Sequence, residues 1–250
     1  MLPVNELRRI EECALNASGG MPSLLYDGWL LGFRPGGSKR PRCVNAFHSS
    51  TLPLAEKIAH CVAFYRSRGL PPLFRLLPFS QPPELDGALE RDGWTAFERT
   101  LVQHVDFASL TAPALPEGSI ETMPGPEWVA ASAPLLGLAG EDLVHAVDRE
   151  VRHPLSQVGV VIRRDDVVIA CGLAKLERGL AGLFSIHTAA EHRGHGLGRA
   201  IVAALVAEAL RHGARRGYLQ VTAANASAIA LYRRFGFATA YDYWYRRIES

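Results

Sequence analysis

The sequence predicts an α/β protein of α+β type, built as two similar units in tandem. Two observations carry that expectation. Over residues 182–211, an apolar strand runs into a basic, glycine-rich turn, and an amphipathic helix follows at once. The order helix, strand, short helix, strand also occurs once in each half of the chain. The spacing from Gly69 to Gly93 matches that from Gly213 to Gly236 to within one residue. The composition, 48% hydrophobic and 21% charged over 250 residues, is that of an ordinary globular chain. Its length permits one large domain or two of about 120 residues.

In the first half, residues 4–17 suit a helix and Asp27–Phe33 a strand. Pro35-Gly36-Gly37-Ser38 reads as a turn and Arg42–Phe47 as a second strand. Residues 53–68 suit a helix stopped by Gly69 and two prolines, and Leu73–Leu77 a strand. Residues 83–92 suit a short helix that leads through Gly93-Trp94 into a strand over 95–107. Residues 111–119, small and carrying two prolines, form the expected linker between a domain at 1–110 and one at 120–250.

The second half opens with a strand at 118–123 and helices at 126–137 and 140–152. Gln157–Arg163 and Val167–Lys175 make a hairpin around Arg164-Asp165-Asp166, and Leu180–Thr188 is the next strand. A long apolar helix then runs to His212-Gly213, glycine being common just past a helix end. Tyr218–Val221 reads as a short buried strand, residues from Asn225 as a helix, and Tyr241–Arg246 as a strand with three tyrosines on one face.

Net charge is only +2, so nucleic acid is not an expected partner, and Arg211, Arg215 and Arg216 read as solvated helix ends. The cysteines at 13, 43, 61 and 171 form no C-x-x-C pair or zinc pattern. That suits reduced thiols in a cytoplasmic protein with no metal. No signal core and no membrane-length apolar run is seen.

The chemistry concentrates in Arg193-Gly194-His195-Gly196-Leu197-Gly198-Arg199. Glycines let the backbone approach a ligand closely, and the helix that follows supplies unpaired N–H groups and the positive end of its dipole. This describes a phosphate or pyrophosphate pocket. The Walker pattern fails for want of Lys-Ser or Lys-Thr after the glycines. The dinucleotide fingerprint fails because Arg199 stands where its third glycine belongs.

Arg193-x-x-Gly196-x-Gly198 resembles the R/Q-x-x-G-x-G/A loop of the GNAT superfamily of acyl-CoA-dependent N-acyltransferases. Asn225-x-x-Ala228-x-x-Leu231-Tyr232-x-x-x-Gly236-Phe237 is similar to the N-x-x-A-x-x-L-Y-x-x-x-G-F segment of the same superfamily. The resemblance covers residues 116–248 and implies a GNAT fold with a mixed central sheet flanked by helices. The first half resembles an incomplete unit. Ser49-Ser50-Thr51-Leu52-Pro53 replaces the glycine loop, and Ala88-Leu89 stands where Leu231-Tyr232 does. It is expected to bind no CoA and to serve as support and as a wall of the acceptor site.

The resemblance implies acetyl-CoA as cosubstrate, held through backbone groups of Ile186, His187 and Thr188 in a splayed strand gap and through residues 193–199. Arg193 and Arg199 are charged partners or rim residues. Asn225 is a helix cap or a CoA contact, with Ala228 and Leu231 beside it. Tyr232 is placed near the CoA sulfur, as the general acid for the departing thiolate. The general base is open. The family places for a Glu or His fall on Gly182 and Phe184, and strand alternation points His187 away from the face assigned to Gly182, Phe184 and Ile186. Glu177, His145, a water chain and the first half remain candidates. Cys171 reads as a packed residue. The expected reaction is acetyl transfer to a primary amine, on a small molecule or a peptide, by direct attack in a ternary complex. The alternatives are a non-catalytic CoA sensor or scaffold, and use of another acyl-CoA.

Overall fold

A computed structural model describes residues 2–19, 22–34, 38–110 and 120–248. The expected linker at 111–119 and positions 35–37 of the expected turn lie outside the described residues. The elements of the first half are α1 (Val4–Asn16), β1 (Ser23–Tyr26), β2 (Trp29–Gly32), β3 (Val44–Ala46), α2 (Leu54–Arg66), β4 (Leu73–Leu76), α3 (Leu85–Arg91) and β5 (Thr95–Asp106). Those of the second half are β6 (Ile120–Met123), α4 (Gly125–Leu136), α5 (Gly140–Val151), β7 (Ser156–Arg164), β8 (Val167–Glu177), β9 (Leu180–Thr188), α6 (Leu197–Arg211), β10 (Arg216–Thr222), α7 (Ala226–Arg233) and β11 (Ala238–Arg247).

One expectation needs correction. The strand read over Asp27–Phe33 is the second arm of a hairpin. Asp27 and Gly28 both take positive φ, 42° and 81°, and turn the chain between β1 and β2. Asp-Gly is a strong hairpin signal, and Leu24-Leu25 before it forms an exposed edge strand.

The eleven strands of the described residues join one mixed sheet, in the order β1-β2-β3-β4-β11-β5-β10-β9-β8-β7-β6. In each half two strands run parallel, β3 with β4 and β9 with β10. Beyond each parallel pair lies the last strand of the other half. β11 pairs antiparallel with β4, and β5 pairs antiparallel with β10. The two exchanged strands pair with each other at the centre, from Ala238 opposite His104 to Arg247 opposite Thr95.

Helices cover both faces. On one, α6 and α7 pack on β7–β10 through Ile201, Leu205, Tyr232 and Phe235. Gly172 allows the close approach of α6: a Cβ there would lie 2.6 Å from Ile201 and 2.8 Å from Leu205. α2 and α3 cover the first half with Ile58, Cys61, Tyr65, Leu85 and Leu89 against Phe74 and Trp94. On the other face, α4 and α5 pack on Val161, Val168, Cys171 and Leu173, and α1 packs on Tyr218, Tyr241, Tyr243 and Tyr245. The C-terminal tyrosines are therefore interior residues. All four cysteines are buried and free, and burial pushes the Cys43, Cys61 and Cys171 thiols up to about 12. Cys171 is packed, as the sequence indicated. Among the described residues, no helix is long and apolar enough to cross a membrane.

Candidate active site

The parallel pairing of β9 with β10 stops at Leu183 opposite Leu219, although β9 continues to Thr188 and β10 to Thr222. Past that point the strands part, and a gap opens beside Phe184 and Gln220. Ser185 marks the cause. It has φ +49°, and the β8–β9 register slips between Cys171 and Leu173, so β9 carries one extra residue there. Ala189 donates its amide to Ile169 on the β8 side (2.9 Å). Backbone alternation then turns the amides of Ile186 and Thr188 toward the gap.

The bulge overturns the expected side-chain facing. Ile186 packs into the α6 cluster with Leu183, away from Gly182 and Phe184. His187 stands opposite Cys171 and lines a cavity of about 920 Å³ with Ala131, Pro134 and Leu135 of α4. It therefore shares the α1–α4 face with Phe184, where regular alternation would have turned it away. A one-residue insertion inverts every later side chain of a strand.

The basic loop follows a short 3₁₀ turn, Ala190–His192. Gly194 and Gly196 both adopt φ +81°, which a Cβ would strain, and Gly196 is the N-cap just ahead of α6. The first intrahelical bond is from the Ala200 amide to Gly196 O (3.0 Å). Among the described residues, the amides from Gly194 to Arg199 donate to no protein acceptor. They converge at a helix N-terminus, where the dipole favours an anion. Arg193 Nε donates to Thr188 O (3.3 Å) and ties the loop to the end of β9. His195 and Arg199 are exposed.

Gly198 seats the first turn of α6 between β9 and α7. A Cβ there would lie 3.4 Å from Leu231 Cδ2 and 3.9 Å from Thr188 Oγ1. Ile186, Leu197, Ala228 and Leu231 pack on the same cluster as Tyr232. Asn225 caps α7, accepting at Oδ1 from the Ala228 amide (3.1 Å) and the Ser227 hydroxyl (3.0 Å). Tyr232 is 8% exposed and meets the Phe237 ring edge-on, and burial raises its phenol pKa. Its hydroxyl has no hydrogen-bond partner among the described residues, so it stays a protonated donor.

Two candidates for the base lie elsewhere. Glu177 pairs across the sheet with Leu180, six residues before Ile186, which is roughly 20 Å along the strand. Its carboxylate is held by Asn16 Nδ2 (3.0 Å) and Arg178 Nε (3.4 Å). His145 is exposed on α5.

The corresponding place in the first half is filled by the protein itself. The Asp27 carboxylate accepts from the amides of Thr51 and Leu52 (3.0 Å each) and from the Thr51 hydroxyl (2.7 Å), just ahead of α2. Buried Lys57 pairs with it at 3.1 Å and lies 3.9 Å over the Trp29 ring. Here an internal carboxylate sits on the amides that precede the helix. The strand gap is bridged as well, by the Gln81 amide on Ala46 O (2.9 Å).

Residues 4–246 match the family described as the probable histone acetyltransferase Rv0428c C-terminal family. The chain belongs to this acetyltransferase family. Among similar proteins, an uncharacterized N-acetyltransferase, YobR of Bacillus subtilis (strain 168), is 26% identical over 249 residues. The match spans 97% of this chain and 99% of that protein. A GCN5-related N-acetyltransferase from Kribbella flavida shares the fold, with a TM-score of 0.67 at 17% identity over 96% of this chain and 95% of its own. A tandem GNAT protein from the clavulanic acid biosynthesis pathway does so with a TM-score of 0.58 at 20% identity, over 77% and 69% of the two chains. This member of the Rv0428c C-terminal family has a GNAT fold, belongs to the GNAT superfamily and is an acyltransferase.

Membership also frames what sequence reasoning passed over. Gln220 belongs to a strand that the sequence marks only as buried, yet it stands at the mouth of the gap. The available signal was a lone amide inside the apolar run Tyr218-Leu219-Gln220-Val221. The partnership of Asp27 with Thr51, Leu52 and Lys57 left no comparable signal.

Proposed function

We propose that the protein is an N-acetyltransferase that moves an acetyl group from acetyl-CoA to a primary amine by direct attack in a ternary complex. The observation that carries this reading is the run of unpaired amides from Gly194 to Arg199, set beside the gap between β9 and β10. That array fits a pyrophosphate, with Arg193 and Arg199 adding charge at its rim. The Ile186 and Thr188 amides face the gap, where one can hold the thioester oxygen and stabilise its developing charge; loss of such a donor costs about 3 kcal/mol. Tyr232 delivers the proton to the leaving sulfur. His187, which the bulge at Ser185 turns to the α4 face, is our candidate for accepting the proton of the amine, directly or through a water.

In this reading the chain comprises two units of common design, 1–110 and 120–250, joined at 111–119, and works in the cytoplasm. Only the second holds acetyl-CoA, because Asp27 and Gln81 fill the equivalent place in the first. Calorimetry with acetyl-CoA and with free CoA, followed by thiol release over a panel of amines, tests the proposal. Binding and amine-dependent release are expected. Binding without release would leave a CoA-holding module, and absence of binding would end the reading.

A further inference from the structure

Away from the central strands, the two halves also meet where the end of α1 reaches the connection from α5 to β7. His153 stands in that connection, buried, with both ring nitrogens committed. The Leu155 amide donates to Nδ1 (3.1 Å), so Nδ1 carries a lone pair. Nε2 lies 3.2 Å from Ala17 O, just past α1. A carbonyl only accepts, so Nε2 carries the proton. The two partners fix one neutral tautomer, and they belong to opposite halves of the chain. The fit is close. A Cβ on Gly19 would lie 2.7 Å from His153 Cδ2 and 3.5 Å from Arg149 Cγ.

The charges around the ring come from every element that packs on it. On α5, Glu150 pairs with Arg149 (2.9 Å) and with buried Lys175 of β8 (2.6 Å), so its carboxylate is already shared by two cations. Arg152, next to His153, pairs with Asp148 at the surface (2.7 Å). Past β2, Arg34 donates from Nη1 to Ser18 O (3.0 Å). Gly19, Pro154 and Leu155 form one wall of a cavity of about 790 Å³. Across it, Arg178 pairs with Glu12 (3.0 Å) and Glu177 (3.4 Å), and exposed His48 completes the charged lining. Burial, then Lys175 and Arg149, hold the imidazole below its ordinary value, against the Ala17 carbonyl and Glu150. A proton on Nδ1 sets an N–H against the Leu155 N–H. That bond is then lost, and the amide finds a new acceptor only if the segment moves toward the cavity.

We propose that His153 is a pH-sensitive latch between the two halves. Neutral, it ties Ala17 to Leu155. Protonated, it releases Leu155, and the end of α1 parts from the α5–β7 connection and widens the cavity. A latched value below the free one sets the sign. The latch holds fully above the free histidine value, about 6.5, and is lost as pH falls through the latched value. The latch does not depend on the acetyl-transfer reading above.

The test follows the full-length protein by NMR from about pH 8 to about pH 5, across the histidine range. Ring nitrogen shifts are expected to show a bare Nδ1 and a protonated Nε2 at the upper end. Amide exchange, corrected for its intrinsic pH dependence, should show the opening of Leu155 rising about ten-fold per pH unit below about 6.5 until His153 has titrated. Amides in the middle of β8 should keep their protection. His153→Asn offers Leu155 an acceptor that does not titrate, and its Leu155 protection should stay nearly constant over the same range. A proton on Nδ1 at the upper end would overturn the proposal. So would Leu155 protection that ignores the titration of His153, an equal loss of protection in β8, or the same pH response in His153→Asn.

Discussion

Tyr232 and Asp27 show how much a single side chain does here. The Tyr232 phenol is buried, its pKa is raised by burial, and it has no hydrogen-bond partner among the described residues, which suits the proposed role of proton donor to a leaving thiolate. Tyr232→Phe is therefore expected to lower kcat by about 10²-fold or more with little change in acetyl-CoA affinity, the contribution typical of a positioned acid. Steady-state rates beside calorimetry check this, and an equal kcat would remove the phenol from the mechanism. Asp27 is read through pH. The Leu52 amide, the Thr51 hydroxyl and amide, and Lys57 hold its carboxyl well below the usual carboxylate value. A depressed folded value stabilises the protein above the unfolded value, near 4, and that contribution is lost as pH falls through the folded value. Asp27→Asn should thus be less stable than the parent at pH 7, and the difference should shrink in denaturant melts at about pH 3. Tyr232 stands out in the sequence because it lies in a linear motif. Asp27 does not, since its partners lie more than twenty residues on and meet it only in the fold.

At the scale of elements, local chemistry wrote most of the plan. Gly213 follows the end of α6 where expected, and Asp165-Asp166 turns the β7–β8 hairpin with φ of 50° and 63°. What escaped was a change of phase inside an element. A one-residue bulge leaves hydropathy almost untouched, yet at Ser185 it moves Ile186 onto α6 and His187 onto the α4 face. Two glycines make the element scale testable. At Gly196, φ +81° costs a side chain about 1–2 kcal/mol, so Gly196→Ala should weaken acetyl-CoA binding about ten-fold if the loop must keep that shape to bind. At Gly159 a Cβ would meet Trp128 at 2.3 Å, so Gly159→Ala should cost about 1–3 kcal/mol in chemical denaturation. An unchanged midpoint would show that α4 yields freely.

Glycine spacing suggests a repeat, but it carries no sign that the last strand of each half pairs into the other. Hydropathy identifies β5 and β11 as strands without naming their neighbours, and both are paired on each side by strands distant in sequence. That arrangement sets the behaviour of the whole molecule. Fragments 1–110 and 120–250 produced separately should each present unpaired strand edges and be poorly soluble. Produced together they should co-purify as a complex. Two fragments that are each folded, soluble and monomeric would contradict the shared sheet.

The same interleaving bears on how the chain is made. β4 waits for β11, which is synthesised long after it, so the amino-terminal half cannot close its sheet until β11 has emerged. Pairings this far apart in the chain are slow to form and hold apolar edges open in the meantime. A nascent chain arrested ahead of residue 238 should be cut readily by protease around β4 and β5, and emergence of β11 should bring resistance to both halves at once.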